Sequence, residues 1–118
     1  MERVVFLLQI RKGFEEEYVK RHANVWPQVL EELEQAGIQA MNIYLAGCQV
    51  VVFMEVEDYV RSVELLAKAP ASVRWEQFMA PIMEDDSAGP YDPENAWPSG
   101  LPEVFRWNTP KAPPKEIP

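Results

Sequence analysis

One cysteine, one histidine and five glycines in 118 residues leave little room for several kinds of chemistry. Cys48 alone cannot form an internal disulfide, and together with His22 it supplies too few soft ligands for a structural zinc site. A reactive thiol also needs an activating neighbour, so Cys48 reads as a spectator near a turn. The scattered glycines form neither G-x-G-x-x-G nor a P-loop, and there is no nucleophile elbow and no CxxC. Positive charge is scarce as well: 11 Lys and Arg stand against 19 Asp and Glu, a net charge of −8. Nucleic acids and anionic membrane surfaces need clustered basic residues, and both are excluded as partners. No apolar stretch approaches the ~20 residues that span a bilayer. The start, Met1-Glu2-Arg3 and a short apolar run, lacks the parts of a signal peptide. The expectation is a cytoplasmic protein with one core.

What is present is strongly patterned. Val4–Ile10 is a near-continuous apolar run, β-branched and aromatic, and reads as a strand covered on both faces. Phe14, Tyr18, His22, Val25, Val29, Leu33 and Ala36 then recur in steps of four and three, which gives one helical stripe. Glu31, Glu32 and Glu34 lie mostly off it, toward water. Pro27 cannot sit inside a helix. The spacing therefore predicts two pieces, about 14–21 and 25–36, with a bend at 22–24 and Asn24 as the second cap. Gly37 closes the second piece.

Ile38–Leu45 and Val50–Glu57 read as a hairpin joined by Ala46-Gly47-Cys48-Gln49. Asp58 is an N-cap for a helix to about Lys68 that Pro70 ends. A last helix runs over about 72–83, with Trp75, Phe78, Met79 and Ile82 on one face. Eight of the eleven prolines fall between Pro90 and Pro118, so this part is neither regular helix nor central strand. Val104–Trp107 is the β-prone exception and reads as an edge strand, laid against a second subunit. Asp85-Asp86 reads as a solvated turn. The order strand–helix–strand–strand–helix predicts an α+β fold: a ferredoxin-like sandwich with an antiparallel sheet and helices on one face. Small chains of this kind cover the other face by dimerising into an α/β-barrel. The domain spans residues 1–107, with an irregular segment at 88–101 and a tail at 108–118.

With phosphate, thiol and metal motifs missing, acid–base chemistry remains, and His22 is its best carrier. A lone histidine on an apolar stripe is most often a hydrogen-bonded core residue. However, Tyr18 lies one turn back, Trp26 follows at i+4, and the bend can aim the ring into a pocket. Imidazole is also the side chain best matched to proton transfer near neutrality. Trp75 is either core packing or an apolar platform for the C–H face of a sugar.

The segment Glu16-Glu17-Tyr18-Val19-Lys20-Arg21-His22-Ala23-Asn24-Val25-Trp26-Pro27 resembles the E-E-Y-x-x-R-H-x-x-x-W-P signature of the L-rhamnose mutarotase family. Ile43-Tyr44-Leu45, Arg74-Trp75 and Glu103-Val104-Phe105 continue the resemblance in order, over about residues 3–107. It implies a homodimeric α/β-barrel that interconverts the anomers of a 6-deoxy monosaccharide with no metal or cofactor. His22 is then the proton donor, and Tyr18 and Trp75 contact the sugar; the general base is left open among Tyr18, a nearby carboxylate and a water. Two positions depart from the L-rhamnose pattern. Met41 stands where those enzymes carry Tyr, and Glu76 follows Trp75 where they carry a second Trp. The Pro-rich stretch bearing Trp97 is also longer than the family pattern. The expected substrate is L-rhamnose or a similar 6-deoxy sugar. L-Fucose, or ligand binding without turnover, is the alternative.

Overall fold

The computed structural model describes residues 1–84 and 96–110. Strand β1 (Glu2–Gln9) leads to helices α1 (Glu15–His22) and α2 (Pro27–Gln35), then to the hairpin β2 (Ile38–Ala46) and β3 (Gln49–Val56). Helices α3 (Tyr59–Leu66) and α4 (Pro70–Met79) follow, with a 3-10 turn at Ala80–Ile82. The three strands form an antiparallel sheet in the order β1-β3-β2. Val4, Phe6, Val50, Val52, Met54 and Val56 point from it into a core completed by Tyr18, Val29, Trp75 and Met79 of the helices.

Local chemistry explains most element ends. Gly47 has φ +63°, which a two-residue hairpin turn demands, and Ala46 pairs with Gln49 across it. Gly37 has φ +89° just past α2, and its N–H donates to the Glu34 carbonyl. The Asp58 carboxylate accepts from the Arg61 N–H at 3.2 Å, as an N-cap should. No helix among the described residues is long and apolar enough to cross a membrane.

Four expectations need correction. Trp26, not Asn24, precedes α2, because Pro27 takes the first helical position, where its missing N–H is harmless. Pro70 does not merely end α3; it opens α4 for the same reason, two residues before the expected start. β1 is covered on one face only: Val4 and Phe6 are buried while Leu7 is exposed, since the helices pack on a single side. Finally, Val104–Trp107 is no strand within this chain, and Val104, Phe105 and Trp107 are 93%, 81% and 66% exposed. The free edge of β1 is met instead by Met83, which bridges Ile10, and by the Leu101 N–H, which donates to the Val5 carbonyl at 2.7 Å. Pro102 follows Leu101 and has no N–H to continue a ladder. The expected Asp85-Asp86 turn, the start of the 88–101 segment and the tail from residue 111 lie outside the described residues.

Candidate active site

Between sheet and helices lies a cavity of about 240 Å³. At about 30 Å³ per water it has room for on the order of eight waters, the scale of one small sugar ring. Its lining is mostly aliphatic and aromatic. The polar groups come chiefly from two helices: Tyr18 and His22 of α1, and Ser72, Trp75 and Glu76 of α4.

Tyr18 and His22 are one turn apart, and their rings stack at 4.2 Å with 25° between planes. The His22 Nδ1 lies 2.9 Å from the Tyr18 carbonyl. A carbonyl can only accept, so Nδ1 carries the hydrogen, and in the neutral ring Nε2 is the acceptor. Burial lowers the His22 pKa below its ordinary 6.5, and the bond to the carbonyl offsets part of that. The resting imidazole is therefore neutral at pH 7. Tyr18 is buried, and burial, with the negative charge of Glu76 adding to it, holds its phenol well above the ordinary range. Its hydroxyl stays protonated and can donate.

The indole of Trp75 stands edge-on to His22, with centroids 5.5 Å apart and 88° between planes. Thus the three residues singled out in the sequence, His22, Tyr18 and Trp75, converge on one cavity. Trp26 behaves differently. The helix breaks after His22, and Trp26 packs edge-on to Trp75 at 5.2 Å rather than continuing the α1 face.

Two residues that hold this arrangement escaped the sequence reading. Arg21 donates from Nε to Glu17 at 2.9 Å and from Nη1 to the Phe78 carbonyl at 2.7 Å, and its guanidinium lies 4.0 Å over the Phe78 ring. It thereby ties α1 to α4. Glu32, expected to face water, caps α4 instead. Its carboxylate accepts from the Ala71 and Ser72 N–H groups at 3.1 and 2.6 Å and from the Ser72 hydroxyl at 2.7 Å. Desolvation opposes the charge, but these bonds outweigh it and leave the Glu32 pKa below 4.5. No local signal marks the tie from Arg21 to Phe78 or the Glu32 cap, because these partners are far away in sequence. Cys48 is a bystander: its thiol donates to Glu15 at 2.8 Å, and that bond with the carboxylate pushes its pKa up.

The family model for L-rhamnose mutarotase matches residues 3–107. The chain belongs to that family. An L-rhamnose mutarotase from Jannaschia sp. strain CCS1 is 36% identical over 87 residues, covering 71% of this chain and 82% of its own length. One from Phocaeicola vulgatus is 33% identical over 113 residues, covering 89% of this chain and 97% of its own. The crystal structure of an L-rhamnose mutarotase from Formosa agariphila shares the fold, with a TM-score of 0.73 at 24% identity over 92% of this chain and all of that one. The activity is that of a sugar mutarotase, an isomerase of the aldose 1-epimerase type. Within this mutarotase-family chain, Met41 and Glu76, the two positions that depart from the L-rhamnose pattern, both line the cavity. Glu76 is the only charged residue among its described lining.

Proposed function

We propose that this mutarotase acts on L-rhamnose or a similar 6-deoxy sugar, and that His22 moves the proton on which anomer exchange depends. The observation that carries the proposal is the bond from Nδ1 to the Tyr18 carbonyl, which reserves Nε2 of a neutral imidazole for the ligand. Ring opening transfers a proton from the anomeric hydroxyl to the ring oxygen. Both oxygens are bonded to the same carbon, so one nitrogen can serve both. Nε2 accepts the anomeric proton as the C1–ring oxygen bond breaks, and the imidazolium then donates it to the ring oxygen. Rotation about C1–C2 presents the other face of the aldehyde, and the same steps in reverse close the ring. His22 is thus the proton donor that the family resemblance implies, after it has first acted as the base. Tyr18 supplies a hydrogen bond to a sugar oxygen, and Trp75 offers an apolar edge to the ring carbons.

A largely apolar lining suits a sugar whose sixth carbon is a methyl group. L-Fucose is the second reading. Met41 and Glu76 replace a phenol and an indole with a thioether and a carboxylate, which favours a different order of hydroxyls around the ring. Saturation-transfer NMR over a sugar panel tests both readings. Faster exchange for 6-deoxy sugars with the native protein, lost in His22→Ala, is the expected result. Exchange confined to sugars bearing a 6-hydroxyl, or unchanged in His22→Ala, would overturn the proposal.

The same reading includes a cytoplasmic homodimer closed into a barrel through the outer sheet face. The exposed apolar row of Leu7 and Tyr44, together with Val104, Phe105 and Trp107, supports it. Light scattering at the monomer mass, or recovery of the protein outside the cytoplasm on fractionation, would count against it.

A further inference from the structure

Part of the cavity wall comes from a segment that belongs to neither the sheet nor the helices. Ala96 and Trp97 contribute to its wall alongside His22 and Trp75. Residues 96–101 have no regular secondary structure, yet they are pinned at three points. The Tyr59 hydroxyl donates to the Pro98 carbonyl at 2.5 Å. The Leu101 N–H donates to the Val5 carbonyl at 2.7 Å. Between these bonds Gly100 lies so close to β1 that a Cβ there would stand 3.0 Å from Val4 Cγ1. A side chain there would require the Val4 side chain to give way by a few tenths of an ångström.

The pinning fixes where the Trp97 indole sits. Its ring meets Phe6 edge-on, with centroids 6.0 Å apart and 71° between planes. Phe6 also lies 6.5 Å from the Tyr59 ring. Trp75 belongs to a different cluster, with His22, Trp26 and Phe78. Two indoles therefore reach the same cavity from separate aromatic clusters, one held by helices and one by the strap. The chain lacks the phenol and second indole that the L-rhamnose pattern places at positions 41 and 76. Trp97 returns aromatic surface to the cavity from another part of the chain.

We propose that Trp97 is a substrate-binding residue whose indole packs against the C–H face of a neutral pyranose, and that Tyr59 is the positioning residue that holds it there. A flat, amphipathic ring with few rotatable bonds loses little entropy on binding, and anchoring the strap in advance lowers that cost further. Tyr59 is well suited to the anchoring role. Burial pushes its pKa up to about 12, so it remains a hydrogen-bond donor across the neutral range. The inference rests on the cavity being the sugar site.

The test is anomer-exchange kinetics by NMR with the sugar that the native protein accelerates best. Trp97→Ala should raise KM about 2- to 10-fold, the range of one aromatic contact, with kcat within about twofold of native. Trp97→Phe should recover most of that loss, and Tyr59→Phe should raise KM by a smaller factor. Sugar should also shift the Trp97 indole N–H resonance, identified by its absence in Trp97→Phe. An unchanged KM in Trp97→Ala, a fall in kcat alone, or an unmoved Trp97 resonance would overturn this proposal while exchange by the native protein leaves the site reading intact. Native protein that accelerates no sugar and shows no resonance shift overturns both.

Discussion

Phe6 and Leu7 are consecutive residues of β1, paired across the sheet with Val52 and Val51 of β3, which pair in turn with Ile43 and Tyr44 of β2. The row of Phe6, Val52 and Ile43 lines the cavity. The row of Leu7, Val51 and Tyr44 points the other way, and Tyr44 is 60% exposed. Successive side chains of a strand alternate between faces, so one stretch of apolar sequence supplies both surfaces. The inner row is covered by helices that bring Tyr18, His22 and Trp75 with them. Among the described residues the outer row has no such layer, and Leu7 and Tyr44 stay exposed on it. On the function proposed above, the two rows divide the work, chemistry on one side and association on the other.

The hardest blow to the inner side is His22→Ala. Removing a positioned acid–base group should cost about 10²- to 10⁴-fold in exchange rate, while the mass seen by light scattering stays the same. A change in both would mean that the faces are not independent. The matching attack on the outer side is Phe105→Asp, which places a charge on the most exposed apolar segment. A central interface residue is worth about 2 kcal/mol or more, so the dimer dissociation constant should rise roughly 30-fold or more, with His22-dependent exchange retained. Equal loss of activity and association would show that the site is completed by the partner.

A pH profile sharpens the inner half. The His22 pKa is depressed on folding, so the unfolded chain binds more protons between that depressed value and 6.5. Stability from this group is full above 6.5 and declines as pH falls through the depressed value. Exchange rate should follow the same direction, constant near neutrality and falling about tenfold per unit once the imidazole is protonated. A rate that rises on acidification would mean that the imidazolium is the resting catalyst. The smallest effect is expected at Glu32→Ala. Loss of a cap on α4 by a partly exposed carboxylate costs about 1 kcal/mol. That should lower Tm by a few degrees in thermal unfolding, and KM should rise if the cap orients Trp75. A native melting curve would show that the α4 start does not depend on it.

Legibility in the sequence followed the range of each interaction. The Asp58 cap, the Gly47 turn and Gly37 after α2 were readable because each acts within three or four residues. The same was true of Tyr18 and His22, whose stacking is an i, i+4 relation within α1. Pro70 misled because a proline marks a boundary without saying which side the helix is on, whereas Pro27 was rightly read as lying in the first turn of α2. Val104–Trp107 forms no strand within the chain because β-propensity measures fit to a sheet, and the described residues offer it no partner strand. Glu32, bound to α4 some 40 residues later, and Arg21, bound to Phe78 across 57 residues, left no local trace.

The sequence by itself determined the elements, the stripe that joins Tyr18 to His22 and the family signature around them. Only the tertiary structure decided which nitrogen of His22 meets the Tyr18 carbonyl, which carboxylate caps α4 and which indoles face the cavity. Propensity, turns and helical spacing act between neighbours in the chain, whereas a cavity wall is assembled from residues that only packing brings together.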